Sequence, residues 1–125
     1  MNLADFEKIV NEGIESIPAE FLEKLDNVAI TIDDEPSPAQ RAKMGLRYGM
    51  SLFGLYEGIS PARRGNYTGV LPDKITIFQK PIEAAARDEE DVREIVKHTV
   101  WHEIAHHFGM SEEEVRKWEL KRWQK

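Results

Sequence analysis

The sequence contains no cysteine, and this absence removes several kinds of chemistry at once. Disulfide bridges, thiolate metal sites and cysteine nucleophiles all need a sulfur that the chain lacks. Long apolar runs are also missing, since no stretch approaches the roughly 20 residues that a membrane-spanning helix needs. Residues 1–16 mix acidic with single apolar side chains and do not form the apolar segment of a signal peptide. We therefore expect a cytoplasmic protein with no membrane partner.

Basic residues are also in short supply, with 17 lysines and arginines against 23 acidic residues and a net charge of -6. A nucleic-acid partner needs clustered basic side chains to release counterions, so we expect no nucleic-acid binding. The chain has 125 residues, of which 41% are hydrophobic. That length suits one hydrophobic core and is too short for two ordinary domains, so we predict a single domain over residues 1–125.

Apolar spacing in the first half of the chain predicts helices followed by a strand. Residues 3–10 and 21–25 carry apolar side chains at helical intervals, and Pro18 suits the first turn of the second helix. The sequence NVAITIDDEPSP then predicts a strand followed by a loop. Residues 39–50 are ambiguous, because good helix formers there are interrupted by glycines.

The middle of the chain predicts two more strands separated by a loop. Residues 51–58, SLFGLYEG, predict a strand that carries a glycine at Gly54. The sequence of residues 60–72 predicts a long polar loop, and a loop of this length in a small protein is more often functional than idle. KITIFQ, residues 74–79, alternates apolar and polar side chains, which predicts a half-exposed strand near the edge of a sheet.

Helical spacing then replaces alternation over residues 82–108, which predicts one long helix. Acidic residues 88–91 lie at its N-terminal end, where the helix dipole favours negative charge. One apolar stripe along this helix consists of Val92, Ile95, Val96, Val100 and Ile104. Trp101, Ala105 and Phe108 follow each other at helical spacing and are expected in the core.

This helix carries the pattern H-E-x-x-H. His102 and His106 are four residues apart and therefore occupy one face, with Cβ atoms about 5–6 Å from each other. Two imidazoles so placed can bind one zinc ion, and a catalytic zinc keeps three protein ligands and an open position for water. Glu103 lies on the same turn, where its carboxylate could take a proton from that water. We predict His102 and His106 as metal ligands and Glu103 as the catalytic base.

The residues after the helix offer a third ligand. Gly109 can end the helix in a left-handed conformation and reverse the chain, which would bring Glu112 back towards the two histidines. Ser111 and Glu114 form an S-x-x-E capping box, so the neighbouring acidic residues could instead only cap the last helix. We predict Glu112 as the third ligand, with Glu113, a water or a distant residue as alternatives.

The sequence H-E-x-x-H-x-x-G-x-x-E resembles the zincin metallopeptidases. Its glycine and spacing are similar to the metzincin branch, in which the position of Glu112 is usually histidine, but no downstream methionine turn can be identified. HTVWHEIAHHFGM, LFGLYEG and LPDKITIFQKPI together resemble a family of small bacterial zincin-like metallopeptidases, sometimes called minimal zincins. The resemblance runs from about residue 51 to residue 114, and the three motifs occur in the family's order.

The resemblance implies an α+β fold in which a small twisted mixed sheet packs against the active-site helix, with additional helices at the N- and C-terminal ends. It implies one zinc ion on His102 and His106, with Glu103 as general base, and a peptide or protein as substrate. Zincins generally bind an extended substrate along an edge strand above the metal. We expect KITIFQ to be the strand that pairs with the substrate in this protein.

The function predicted from these residues is zinc-dependent hydrolysis of peptide bonds, by Glu103-assisted attack of a zinc-bound water. The alternative is a zinc-binding or regulatory protein that uses a zincin-like scaffold without turnover, because 125 residues leave little material for a deep specificity cleft. His98 and His107 are expected in supporting or packing roles. Candidates for stabilising the oxyanion are Tyr56, Glu57, Arg63, Arg64 and Tyr67, each of which is more often a surface or packing residue.

Overall fold

A computed structural model describes residues 1–25, 27–45, 52–58 and 73–123, with residues 122 and 123 described by their backbone alone. Within these ranges the helices are α1 (Leu3–Glu15), α2 (Ala19–Leu22), α3 (Pro38–Lys43), α4 (Gln79–Ala85), α5 (Glu89–His107) and α6 (Glu112–Trp123), and the strands are β1 (Val28–Asp33), β2 (Gly54–Glu57) and β3 (Asp73–Phe78). This architecture confirms the predicted α+β fold class. Residues 46–50 and the predicted loop at 60–72 lie outside the described residues.

The three strands form one mixed sheet in the order β1-β3-β2. β1 is parallel to β3 and pairs Ile30 with Ile75, whereas β2 is antiparallel to β3 and pairs Tyr56 with the same Ile75. β3 is therefore the central strand, and its backbone groups are paired on both sides.

The prediction that KITIFQ is a half-exposed edge strand is wrong. Lys74 is exposed, but Thr76 is fully buried and Gln79 is 6% exposed. The Gln79 side-chain amide donates to the Met1 carbonyl at 3.0 Å, so this polar side chain points into a buried contact and not to solvent. Alternation of polar and apolar residues therefore does not mark a solvent-facing strand here. Since both edges of β3 are occupied, β3 cannot take a substrate by β-augmentation.

The hydrophobic core lies between α5, α1 and the sheet. Four of the five residues in the predicted stripe of α5 are buried, and Ile95 is half-buried. They pack with Phe6, Ile9 and Val10 of α1 and with Ile75 and Ile77 of β3. Trp101 and Ala105 are fully buried and Phe108 is half-buried against the same core, as predicted. The long helix is thus fixed by its apolar face, while its histidine face turns outward.

The predicted helix over residues 82–108 is in fact two helices. α4 ends at Ala85, and α5 begins after Asp88, whose carboxylate accepts a hydrogen bond from the Asp91 backbone N–H at 2.8 Å. This cap satisfies an N–H group that has no partner within the helix. The acidic residues lie in the first turn of α5, as predicted from the helix dipole. No helix among the described residues is both long and apolar enough to span a bilayer.

Candidate metal centre

Two histidines on the outer face of α5 are the first two residues of the candidate metal site. His102 and His106 are one turn apart, and their ring centroids are separated by 4.5 Å. Their side chains are 34% and 36% exposed, so their ring nitrogens are accessible from solvent. Helical periodicity alone accounts for this arrangement, because residues four apart share one face.

A glycine turn brings a carboxylate to the two histidines. Gly109 has a φ of +71°, which is the left-handed conformation expected from the sequence. The Met110 N–H donates to the Ala105 carbonyl at 3.1 Å and the Gly109 N–H donates to the His106 carbonyl at 3.0 Å, which together form a Schellman motif. The chain reverses at this motif, and α6 begins at Glu112.

Glu112 lies within reach of both imidazoles. Its Oε1 is 3.3 Å from His106 Nε2 and 3.5 Å from His102 Nε2. One ligand atom from each of the three residues can be chosen so that all lie within 4.8 Å of one another. Ligands placed about 2.0–2.1 Å from a tetrahedral zinc ion are about 3.3–3.4 Å apart. Two nitrogens and one carboxylate oxygen at these separations fit a zinc ion in both chemistry and spacing.

The neighbouring acidic residues of α6 have other contacts. The Ser111 N–H donates to Glu114 Oε1 at 3.2 Å and the Glu114 N–H donates to Ser111 Oγ at 3.1 Å, which is the predicted capping box. Glu113 has a side chain that is 78% exposed, with its Oε1 3.8 Å from Lys117 Nζ. The structure therefore places Glu112 beside the histidines, while Glu113 faces solvent.

Glu103 lies beneath the histidines in a different environment from Glu112. Glu103 is only 7% exposed, and its Oε1 is 3.5 Å from His106 Nδ1. Burial raises the pKa of Glu103, although charge on His106 and His102 and a hydrogen bond from the Tyr56 backbone N–H oppose that rise. The hydrogen bond with His106 lowers the pKa of the exposed Glu112 carboxyl. Burial thus makes the Glu103 carboxylate more basic, whereas the contact with His106 favours the ionised form of Glu112.

The glycine in β2 lets the sheet approach Glu103 closely. A Cβ atom at Gly54 would lie 2.6 Å from Thr99 Cγ2 and 3.3 Å from Glu103 Cγ. Real Cβ atoms do not approach another side chain to 2.6 Å, so any larger residue at this position would force the Thr99 side chain or the neighbouring backbone to shift. Residues 51–58 were predicted to form a strand that carries a glycine. The structure gives the physical reason for that glycine, which is the close contact of Gly54 with α5.

We expect Gly54→Ala to destabilise the protein by about 1–3 kcal/mol, because the added methyl group overpacks the boundary between β2 and α5. Thr99→Ser should relieve much of this loss, since it removes Cγ2 and keeps the hydroxyl that donates to the Ile95 carbonyl at 2.7 Å. Denaturant unfolding of both single variants and the double variant measures the coupling. Strictly additive losses would show that the Thr99 methyl group is not the obstacle.

A groove runs from the metal site along the beginning of β2. It encloses about 380 Å³ between β2, α5 and α6. Its lining consists of Leu52, Phe53, Gly54, His98, Thr99, His102, Glu103 and Glu119. His98 is thus brought to the groove, with its side chain 44% exposed and its Nε2 3.9 Å from Glu94. In the part of the chain that the structure describes, no strand pairs with the outer edge of β2.

Of the candidates for oxyanion stabilisation, the structure describes Tyr56 and Glu57, and both side chains have partners away from His102 and His106. The Tyr56 hydroxyl donates to Asp73 Oδ2 at 2.7 Å, and Glu57 accepts a hydrogen bond from Gln40 at 3.2 Å. The remaining candidates, Arg63, Arg64 and Tyr67, lie outside the described residues. Sequence reasoning missed Asp73, the first residue of β3, for which the available signal was an isolated acidic residue directly before the predicted strand KITIFQ. His107 Nδ1 lies 3.1 Å from Oδ2 of this Asp73.

A mixed sheet packed on a helix that presents two histidines and an intervening glutamate is the arrangement predicted from the resemblance to zincins, and the three donors could hold a metal ion. The chain belongs to the zincin-like metallopeptidase family, whose family model matches residues 25–122. Its fold is similar to that of a conserved hypothetical protein from Thermo thermophilus, with a TM-score of 0.60 and 20% sequence identity over 86% of this chain and 94% of that chain. No curated protein matches the sequence significantly. The resemblance predicted from the three motifs is therefore confirmed.

Proposed function

We propose that this protein is a zinc-dependent peptidase, in which His102, His106 and Glu112 hold one zinc ion and Glu103 is the general base. The observation that carries the proposal is the position of Glu112 Oε1, which lies 3.3 Å and 3.5 Å from the two Nε2 atoms. These separations suit a tetrahedral zinc ion. Membership of the zincin-like metallopeptidase family supports the same conclusion.

Zinc, when bound, would supply a Lewis acid and would lower the pKa of water enough for attack at neutral pH. Glu103 takes a proton from the attacking water while the water oxygen bonds to the scissile carbonyl carbon. The same carboxyl group then gives the proton to the leaving amine nitrogen as the C–N bond breaks. Burial of Glu103 favours this exchange, because a carboxylate with a raised pKa is a stronger base.

The groove beside β2 is the proposed route for an extended substrate. Its lining is shared between the beginning of β2 and the face of α5 that carries His98, His102 and Glu103. A peptide pairing with the outer edge of β2 would lie along this groove and cross the metal site. β2 therefore replaces β3 as the strand that we propose for substrate binding.

The test measures metal content and hydrolysis together. Metal-free protein should take up one equivalent of zinc and then cleave members of a mixed peptide library, with products identified by mass spectrometry. In ¹⁸O-labelled water, the new carboxyl groups should carry the label. Chelation should stop cleavage, and added zinc should restore it.

Two outcomes would contradict the proposal. If the native protein binds one zinc but cleaves no peptide faster than Glu103→Gln does, the non-catalytic scaffold becomes the better interpretation. If the native protein binds no zinc at neutral pH, both metal-dependent interpretations fail.

A further inference from the structure

A second polar cluster lies on the other side of the last turn of α5. Asp73 Oδ2 accepts a hydrogen bond from the Tyr56 hydroxyl at 2.7 Å and lies 3.1 Å from His107 Nδ1. The Asp73 and His107 side chains are only 10% and 16% exposed. The three residues come from β2, β3 and α5, so this cluster ties both strands to the end of the active-site helix.

Tyr56 connects this cluster to the proposed base. Its backbone N–H hydrogen-bonds to the Glu103 carboxylate, while its hydroxyl is held by Asp73. His107 in turn directly follows His106, and its ring packs edge-on against the Tyr56 ring at 5.8 Å between centroids. A rotation of the last turn of α5 would therefore move His106 and break the His107–Asp73 contact together.

We propose that Tyr56, Asp73 and His107 form a positioning network that sets the alignment of Glu103 and His106 and so controls the rate of the chemical step. The inference rests on the proposed peptidase function. None of the three residues need touch the substrate or the metal. Their effect is expected to be large, because a displacement of about 1 Å in a reacting group can reduce a rate by about 100-fold.

Burying the Asp73 carboxylate costs stability unless hydrogen bonds offset that cost. Tyr56 and His107 could therefore serve only to stabilise the fold around Asp73. The two roles differ in their consequences. A stability role predicts that variants unfold more easily but work normally while they are folded. A positioning role predicts a lower kcat at saturating zinc and a changed metal environment in fully folded protein.

The experiment compares Tyr56→Phe and Asp73→Asn with a matched control, Gln79→Leu. Gln79 is a buried polar residue just beyond the opposite end of β3, where it donates to the Met1 carbonyl at 3.0 Å. The control removes the hydrogen bonds of a buried polar side chain to the Met1 carbonyl and to Glu83, at the other end of the same strand, without touching the cluster. All proteins are assayed well below their melting temperatures, with saturating zinc.

We expect Tyr56→Phe and Asp73→Asn to lower kcat by about 10- to 100-fold with KM nearly unchanged, which is the pattern for an interaction that acts in the transition state. Asp73→Asn should also weaken zinc binding about 10-fold and alter the visible absorption spectrum of the cobalt(II)-substituted protein. Gln79→Leu should change the melting temperature alone.

Unchanged kcat, zinc affinity and cobalt spectrum in both cluster variants would overturn the inference, even if these variants melt at lower temperature. Native protein that binds metal but cleaves no peptide would refute the peptidase function, while zinc affinity and the cobalt spectrum would still decide whether the network positions the metal site. Native protein that binds neither zinc nor cobalt would overturn both.

Discussion

Glu103→Gln is expected to reduce peptide hydrolysis by about 10²- to 10⁴-fold, the range for the loss of a general base. Glutamine has nearly the same shape but cannot accept the proton of the attacking water. Zinc should still bind with one equivalent, because Glu103 is not among the residues proposed as ligands. The assay compares kcat/KM and bound zinc in the two proteins. Equal rates in native protein and variant would remove Glu103 from the mechanism.

The same substitution should stabilise the metal-free protein at neutral pH. Burial raises the pKa of Glu103, so ionisation of this group is less favourable in the folded protein than in the unfolded chain. Its folded pKa lies above the ordinary value of 4.5, so the contribution of this carboxyl group to stability is fully present below pH 4.5 and is lost as pH rises through the folded pKa. Glutamine carries no charge and avoids this loss.

We therefore expect Glu103→Gln to melt at a higher temperature than native protein at pH 7 in the presence of a chelator. The difference should shrink as the pH falls through the raised pKa of Glu103 towards 4.5, because the native carboxyl group then takes up its proton and also loses its charge. Thermal unfolding across this pH range measures both. A variant that melts below the native protein at pH 7 would show that the histidines and the Tyr56 N–H more than offset the cost of burying the charge.

Glu112→Ala is expected to weaken zinc binding by more than about 100-fold, because it removes one of three proposed ligands, and even outer-shell partners typically contribute 10- to 100-fold. Glu113→Ala is the matched control. Each substitution removes one negative charge from the first turn of α6, so any loss of favourable helix-dipole interaction is shared. Of the two carboxylates, only that of Glu112 lies beside His102 and His106, whereas that of Glu113 lies near Lys117.

Zinc affinity is measured by competition with a chromophoric chelator. If Glu113→Ala weakens binding and Glu112→Ala does not, Glu113 is the third ligand and the turn at Gly109 must close differently around the metal. If neither substitution matters, a water or a residue outside α6 completes the site. The melting temperatures of the two metal-free variants should be similar.

Most of the metal site could be predicted from sequence, because it depends on short-range geometry. His102, Glu103 and His106 lie within one helix, and helical periodicity fixes which of them share a face. Glu112 required one further step, the reversal at Gly109, and glycine is the residue that most readily adopts the left-handed conformation needed there. That the three donors come together is a structural finding, whereas their binding of zinc is the proposal.

The substrate strand was predicted wrongly, because strand order depends on contacts between distant parts of the chain. Thr76 and Gln79 are polar, and alternation gave no sign that both are buried. Similarly, the close contact between Gly54 and Thr99 exists only because β2 packs on α5. No local pattern around Gly54 indicates which side chain would be crowded by a methyl group.

The sequence by itself determined the zincin motif, the face of the helix that carries it and the turn that follows, since these depend on backbone geometry over a few residues. Tertiary structure decided that β3 is central, that Glu103 is buried, and that Asp73 meets Tyr56 and His107, which lie 17 and 34 residues away. These features follow from how the sheet packs against α5. Burial and strand pairing are properties of the whole packed chain, whereas helical periodicity is a property of a few consecutive residues.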